Sequence, residues 1–239
     1  MPQPEIHPAF VLHTRSYRET SKIVDLFVPE TGRISVVARG ANRAKSSFGA
    51  TLQPFLPLLV SYAGRTELKN LKSCELNGAP LRLQGKALFS GIYLNELIAR
   101  TVQTQYHCEE LFAHYQLALS ELAGGAAIEP VLRRFELILL EELGYAIPFP
   151  ESITDQSSNP ETLYFYHQNG HFEETTLQME NETRCYAAAD LTAIASGSFE
   201  SPATLRSAKR LARQAFASLL GEKPLRSREL FRNYQKENL

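Results

Sequence analysis

The stretch Gly32 to Lys45 reads GRISVVARGANRAK. In its first half Ile34, Val36 and Ala38 alternate with Arg33, Ser35, Val37 and Arg39. A period of two is that of a strand with one face on a core and one toward water. Its second half is a glycine-led loop, Gly40 to Ser47, that adds Arg43 and Lys45 among small residues. No Asp or Glu occurs from Thr31 through Thr66, whereas Arg33, Arg39, Arg43, Lys45 and Arg65 all fall there. Positive charge without a local counter-charge, displayed on a strand and the loop after it, suits a phosphate-bearing ligand.

Outward from this strand, Phe10 to His13, Lys22 to Val28, Phe55 to Ala63 and Glu67 to Leu76 also read as strands. They are separated by Pro29, Thr31-Gly32, the Gly40 to Gly49 loop and Ala63-Gly64. Pro54 and Pro57 place the start of the fourth at a strand end or a bulge. Five short strands without a long helix point to a small closed barrel over residues 1–80. The five-stranded form that binds oligonucleotides is the OB-fold, and an SH3-like barrel matches the same pattern nearly as well.

After Pro80 the period changes from 2 to 3.6. Leu88 to Val102 predicts a helix buried on most sides. Leu111, Tyr115, Leu119 and Leu122 mark an amphipathic one. A third has Pro130 in its first turn and ends at Gly144. Within residues 145–182 the pattern breaks, and LYFYHQ and HFEETT face each other across Asn169-Gly170, a hairpin signal near residues 163–176. Helix resumes near Ala187 to Ala195, then from a Ser201-Pro202 cap through Leu219 to Gly221, and last from Ser227. The expected fold is α+β: an N-terminal five-stranded OB-fold barrel, then a helix-rich domain over residues 81–239 with a small β-hairpin insertion.

The chain of 239 residues has a net charge of −1, which hides a segregation. Residues 1–80 carry +4, residues 81–202 carry −11 and residues 203–239 carry +6. A near-neutral total therefore does not exclude a polyanionic partner. Cys74, Cys108 and Cys185 are odd in number and widely spaced, as suits reduced thiols. The opening MPQPEIHP has no basic segment followed by an apolar one, and no apolar run is long enough to span a bilayer. A cytoplasmic location without membrane association is expected.

Catalytic signatures are absent: there is no phosphate-binding glycine loop, no HExxH, no nucleophile-elbow serine and no tight carboxylate cluster. That weighs against a nuclease or another enzyme. With a two-residue loop, His167 would face Phe172 and Gln168 would face His171, so the two imidazoles would point to opposite faces and not chelate together. His107, Cys108 and His114 lack a fourth ligand. No metal and no cofactor are expected.

Several segments carry a family resemblance: FVLHTRSYRETSKIVDLFVPETGRISVVARGANR at 10–43, then LQPFLPLLV, GIYLNEL, EPVLRRFELILLEELGY and KPLRSRELF. In this order, over nearly the whole chain, they resemble the bacterial recombination mediators of the RecO family. The resemblance implies a non-enzymatic protein that binds single- and double-stranded DNA and anneals complementary strands. It implies that such a protein binds the acidic C-terminal tail of single-stranded DNA-binding protein and, with RecR, helps load RecA. A cytoplasmic protein associated with the nucleoid follows. Many such relatives carry a four-cysteine zinc site after a glycine-tyrosine step, here Gly144-Tyr145. Residues 146–184 hold no cysteine, so this chain departs from that pattern.

Two basic sets are the candidate DNA surface. Arg15, Arg18, Lys22, Arg33, Arg39, Arg43 and Lys45 belong to the barrel, where Tyr17, Phe48 and Tyr62 are candidate stacking partners for bases. Arg206, Lys209, Arg210 and Arg213 form one stripe, spaced i, i+3, i+4, i+7, on a helix. Arg133 and Arg134, amid the apolar face of the third helix, are the candidate anchor for the acidic protein tail. The competing reading of Arg133 is an intrahelical pair with Glu129. The rival function is a protein-interaction scaffold with no direct role toward nucleic acid.

Overall fold

The alternating segments form five strands: β1 (His7–Tyr17), β2 (Ser21–Val28), β3 (Gly32–Ala38), β4 (Leu58–Ala63) and β5 (Leu68–Leu76). The computed structural model describes residues 5–44, 46, 48–155, 157, 159–175 and 184–237. The strands close into a barrel in the order β1-β2-β3-β5-β4, with β1 pairing β4. Every pairing is antiparallel except β3 with β5. This order, with its single parallel closure, is that of the OB-fold anticipated from the sequence. The inward-facing positions, among them Val24, Leu26, Val28, Ile34, Val36, Ala38, Leu58 and Val60, fill the interior.

The outer wall of the barrel is covered by two of the helices that follow. These are α1 (Gly85–Thr101) and α2 (Glu109–Ala123). Phe10 and Phe27, on the outward side of β1 and β2, pack against Phe112 and Tyr115 with ring centroids 5.2–5.7 Å apart. The β1–β2 register slips between Val11 and His13, and the carbonyls of Val11 and Leu12 each accept from the buried Asn95 amide, at 3.3 and 3.1 Å. Asn95 in turn accepts from the Tyr115 hydroxyl. Burial pushes that phenol's pKa far above its ordinary range. A buried amide that answers the unpaired backbone of a bulge removes a desolvation cost of about 1–3 kcal/mol.

The β2–β3 turn is pinned from outside. Gly32 has φ +66°, and a Cβ there would sit 2.7 Å from the Gln103 carbonyl, so the close approach of the segment after α1 requires glycine. That segment is bound by Arg33 N–H to Gln103 O, Gln105 N–H to Thr31 O and Cys108 N–H to Pro29 O. The last helix, α8 (Arg226–Glu237), lies on α1: Phe89 contacts Phe231 and Tyr234, and the Glu96 carboxylate accepts from the Arg226 and Ser227 amides at 2.9 and 2.8 Å. A carboxylate at a helix start satisfies orphan donors and meets the positive end of the dipole. Barrel, α1, α2 and α8 thus form one compact unit, residues 1–126 with 224–239.

The second unit, residues 127–223, is built on α3 (Ile128–Glu142), α4 (Glu151–Thr154), α5 (Ala188–Ala195), α6 (Pro202–Ala215) and α7 (Ala217–Leu220). Buried Val131, Phe135 and Leu139 of α3, Leu191 and Ile194 of α5, and Leu211 and Ala212 of α6 make its core. Ser201 caps α6 by accepting from the Thr204 amide at 3.0 Å. The helical period that suggests one helix to Leu219 is interrupted: α6 ends at Ala215, and the buried Phe216 separates it from α7.

The hairpin is present as β6 (Leu163–Tyr166) and β7 (Phe172–Thr175). A third strand, β8 (Cys185–Ala187), pairs with β6 to give the order β7-β6-β8. Thr176 lies outside the described residues. The hairpin register differs from the expected one. Tyr166 pairs with Phe172, and the His167 amide donates to the His171 carbonyl at 2.9 Å. The loop is therefore three residues, Gln168-Asn169-Gly170, with Gly170 at φ +88°, the left-handed position such loops need. One added loop residue reverses the facing of everything on one strand. His167 and His171 consequently share a face, with ring centroids 4.2 Å apart, which corrects the expectation that they point apart.

Among the described residues no helix is long and apolar enough to cross a membrane.

Candidate nucleic-acid interface

The β1–β2 turn and the loop after β3 lie at the same end of the barrel because β2 runs antiparallel to both neighbours: Tyr17 pairs with Ser21, and Lys22 with Ala38. The loop is clipped to the turn. The Asn42 amide N–H donates to the Thr20 carbonyl at 3.0 Å, and the Asn42 side chain donates to the Ser21 carbonyl at 3.1 Å. Gly40 at φ +73° starts the reversal, and the Arg43 side chain passes 3.7 Å from where its Cβ would be. Arg18 itself takes φ +54°, a conformation uncommon for a residue with a side chain.

These devices gather Tyr17, Arg18, Glu19, Ser21, Arg39 and Arg43 around one open cavity of about 730 Å³, with Asn70 of β5 on its wall. Three guanidinium groups face one carboxylate, Glu19. Arg39 donates to the Asn70 side chain at 3.1 Å, which orients it while leaving its charge unmatched. The Arg18 guanidinium lies 5.1 Å from the centre of the Tyr17 ring. A half-buried aromatic ring with a cation beside it, in a basic concavity, is the combination that holds a stacked base next to its phosphate.

The other residues named from the barrel sequence are placed differently. Arg15 is exposed on β1 opposite Ile23, and Lys22 sits partly buried one strand pair from the cavity. Arg33 stands at the far end of β3, opposite Phe27, six residues and roughly 20 Å from Arg39. Lys45 lies outside the described residues. Phe48 and Tyr62 pack on the barrel core, Tyr62 also stacks on His7 at 5.1 Å, and neither lines the cavity.

The basic stripe of α6 is partly consumed within its own unit. Lys209 meets Glu129 at 3.4 Å. Arg210 donates to the Cys185 carbonyl at 2.8 Å and lies 4.5 Å over the Tyr186 ring. Arg206 and Arg213 are exposed. On α3, Arg134 is exposed, whereas the Arg133 side chain is 7% exposed and meets Glu136 at 2.6 Å. Arg133 thus pairs at i, i+3 with Glu136, not with Glu129, and is removed from the surface on which a partner would meet it.

By sequence, both the barrel and the part that follows it match known families. Residues 4–79 match the family described as "Recombination protein O N terminal", and residues 82–229 match "Recombination protein O C terminal". The chain belongs to the RecO family. The DNA repair protein RecO of Pseudomonas putida strain GB-1 is 44% identical over 232 residues, spanning 97% of this chain and 99% of that protein. Those of Tolumonas auensis and Methylococcus capsulatus are 41% and 42% identical, covering 97% and 94% of this chain and 96% and 92% of their own. All three carry the name of a DNA repair protein and not of an enzyme. Both RecO segments are thus present in order, with the changeover between residues 79 and 82.

Proposed function

We propose that this RecO-family protein is a non-enzymatic recombination mediator of the bacterial nucleoid. It binds single- and double-stranded DNA, anneals complementary strands and, with RecR, helps load RecA onto DNA coated by single-stranded DNA-binding protein. The observation that carries the DNA-binding part is the convergence of Arg18, Arg39 and Arg43 with Tyr17 on one concave end of the barrel. Annealing needs strands gathered by their phosphates irrespective of sequence, and a surface of arginines without base-reading partners supplies that.

In this reading the barrel of residues 1–80 takes the DNA at the cavity, and Arg15 and Lys22 add positive charge on the strands that lead to it. Arg206 and Arg213, exposed on α6, are a second and weaker set of phosphate contacts. The helical part, residues 81–239, takes the acidic tail of single-stranded DNA-binding protein at α3, with Arg134 as the charge anchor. The excess of acid over residues 81–202 would repel that tail elsewhere and so sharpen its choice of site.

The test is fluorescence anisotropy of a labelled oligonucleotide against the full chain in rising salt. With about five phosphates contacted, the log-log slope for a single strand is expected near −3.5. Absence of salt-dependent binding would leave a protein-interaction scaffold as the better reading.

A further inference from the structure

The corrected hairpin register puts a set of ligating groups on the outer face of the β6–β7 ribbon that the DNA-binding reading does not use. His167 and His171 stand opposite each other across the ribbon, and Glu173 follows His171 at i+2 on the same face. One ligand atom from each of the three can be chosen so that all lie within 4.8 Å of one another. His167 Nε2 and Glu173 Oε2 are 2.8 Å apart, and the imidazole rings are parallel within 10°. We propose that this face is a zinc site, with one nitrogen from each histidine and one carboxylate oxygen from Glu173 as ligands.

The geometry is near what the ion requires. Bonds of about 2.0–2.2 Å in a tetrahedron separate donor atoms by roughly 3.4 Å. The His167–Glu173 pair needs to open by about half an ångström, and the His171 nitrogen needs to close by up to about 1.4 Å. Both are side-chain rotations, since the backbone is already fixed on the opposite face. There Tyr166 and Phe172 contact at 4.8 Å, and Phe172 meets Tyr186 edge-on. The turn is held by the His167 amide on the His171 carbonyl and the Gly170 amide on the His167 carbonyl. Phe165 lies against the His167 ring at 4.8 Å and limits its rotation. Ligands presented by an ordered ribbon lose little freedom on binding.

The donor set narrows the ion to the divalent metals that imidazole binds, of which zinc takes the tetrahedral geometry. Two imidazoles and one carboxylate are borderline ligands that zinc accepts, with a water completing the tetrahedron. Calcium and magnesium want all-oxygen shells, and thiolate-seeking ions find no sulfur among these three. His171 and Glu173 are exposed, so an ion and its water have an open path. The alternative is that the carboxylate simply accepts a hydrogen bond from His167 at the surface. In that case the chelator-stripped chain would not take up zinc.

The experiment is a zinc titration of the full chain, stripped with a chelator and dialysed, in competition with a chromophoric zinc indicator. Wild type is expected to bind one zinc per chain. His171→Ala and His167→Ala should each weaken it by more than about tenfold, since losing even a group that only supports a ligand costs about 10–100-fold. Cys185→Ser should leave it unchanged. Circular dichroism of each variant checks that the fold persists. Cobalt loaded into the wild-type protein gives a readout independent of any variant: visible bands of a nitrogen-and-oxygen site without a thiolate charge-transfer band. Failure of wild type to compete for zinc, wild-type affinity in both histidine variants, or a thiolate band would each overturn the assignment.

Discussion

The barrel end and the α3–α6 surface each hold a cluster of arginines, and only their neighbours distinguish them. At the barrel end Arg18, Arg39 and Arg43 ring a cavity with one carboxylate. In the second unit Lys209 meets Glu129, Arg210 is spent on the Cys185 carbonyl and the Tyr186 ring, and Arg133 is buried against Glu136. A guanidinium already engaged inside its own domain has less left to offer a phosphate, so equal stripes of basic residues in a sequence are not equal surfaces.

The largest expected effect tests whether the second unit has absorbed its charge. Glu136→Ala removes the carboxylate beside the buried Arg133 and should lower stability by about 3–5 kcal/mol in urea denaturation. Replacing both, as Arg133→Met with Glu136→Leu, should restore most of that loss, because two matched apolar groups need no partner. A single variant as stable as wild type would mean that the pair is not what holds Arg133 inward.

The next sharpens the contrast within α3 itself. Arg134→Ala should weaken binding of an acidic tail peptide by about 1.5–3 kcal/mol, the range of a charge-assisted hydrogen bond. Oligonucleotide affinity should stay at the wild-type value. Equal loss of both ligands would merge two surfaces that the account keeps apart.

A smaller effect follows from the Arg210–Tyr186 contact. Burial raises the Tyr186 phenol from 10.0 to about 12, against the lowering influence of Arg210. A raised folded-state value means the fold favours the protonated phenol. Its contribution is complete below pH 10 and is lost as pH climbs through about 12, on the order of 2 kcal/mol in all. Thermal melts of wild type should therefore fall more steeply than those of Tyr186→Phe across that alkaline window. Parallel curves would show that the phenol does not couple to folding.

What the sequence made legible follows the strength of its periodicities. The barrel was readable because Ile34, Val36 and Ala38, and Val24, Leu26 and Val28, alternate strictly into one core. The outer half of β1, His13 to Tyr17, was not, since a bulge at Leu12 breaks the alternation and the exposed residues there carry no apolar signal. The three residues of β8 are too few to show a period. The hairpin was visible from Asn169-Gly170, yet its register hung on whether Gln168 belonged to the strand or the loop, and that choice decided the facing of His167 and His171. The Arg133–Glu136 pair was hidden because spacing offers Arg133 a partner on either side, and only packing says which one is buried with it.

The most direct test sets the two basic clusters against each other in one titration. Single-stranded DNA binding by Arg18→Gln, Arg39→Gln and Arg43→Gln combined, and by Arg206→Gln with Arg213→Gln, should be followed from low to high salt. Each lost phosphate contact removes about 0.7 from the slope. The barrel triple variant is expected to flatten the log-log slope by about 2 and to weaken binding to all sequences alike, whereas the α6 pair should change it by about 1 or less. A triple variant with wild-type slope and affinity, or a larger loss in the α6 pair, would contradict the placing of DNA on the barrel end.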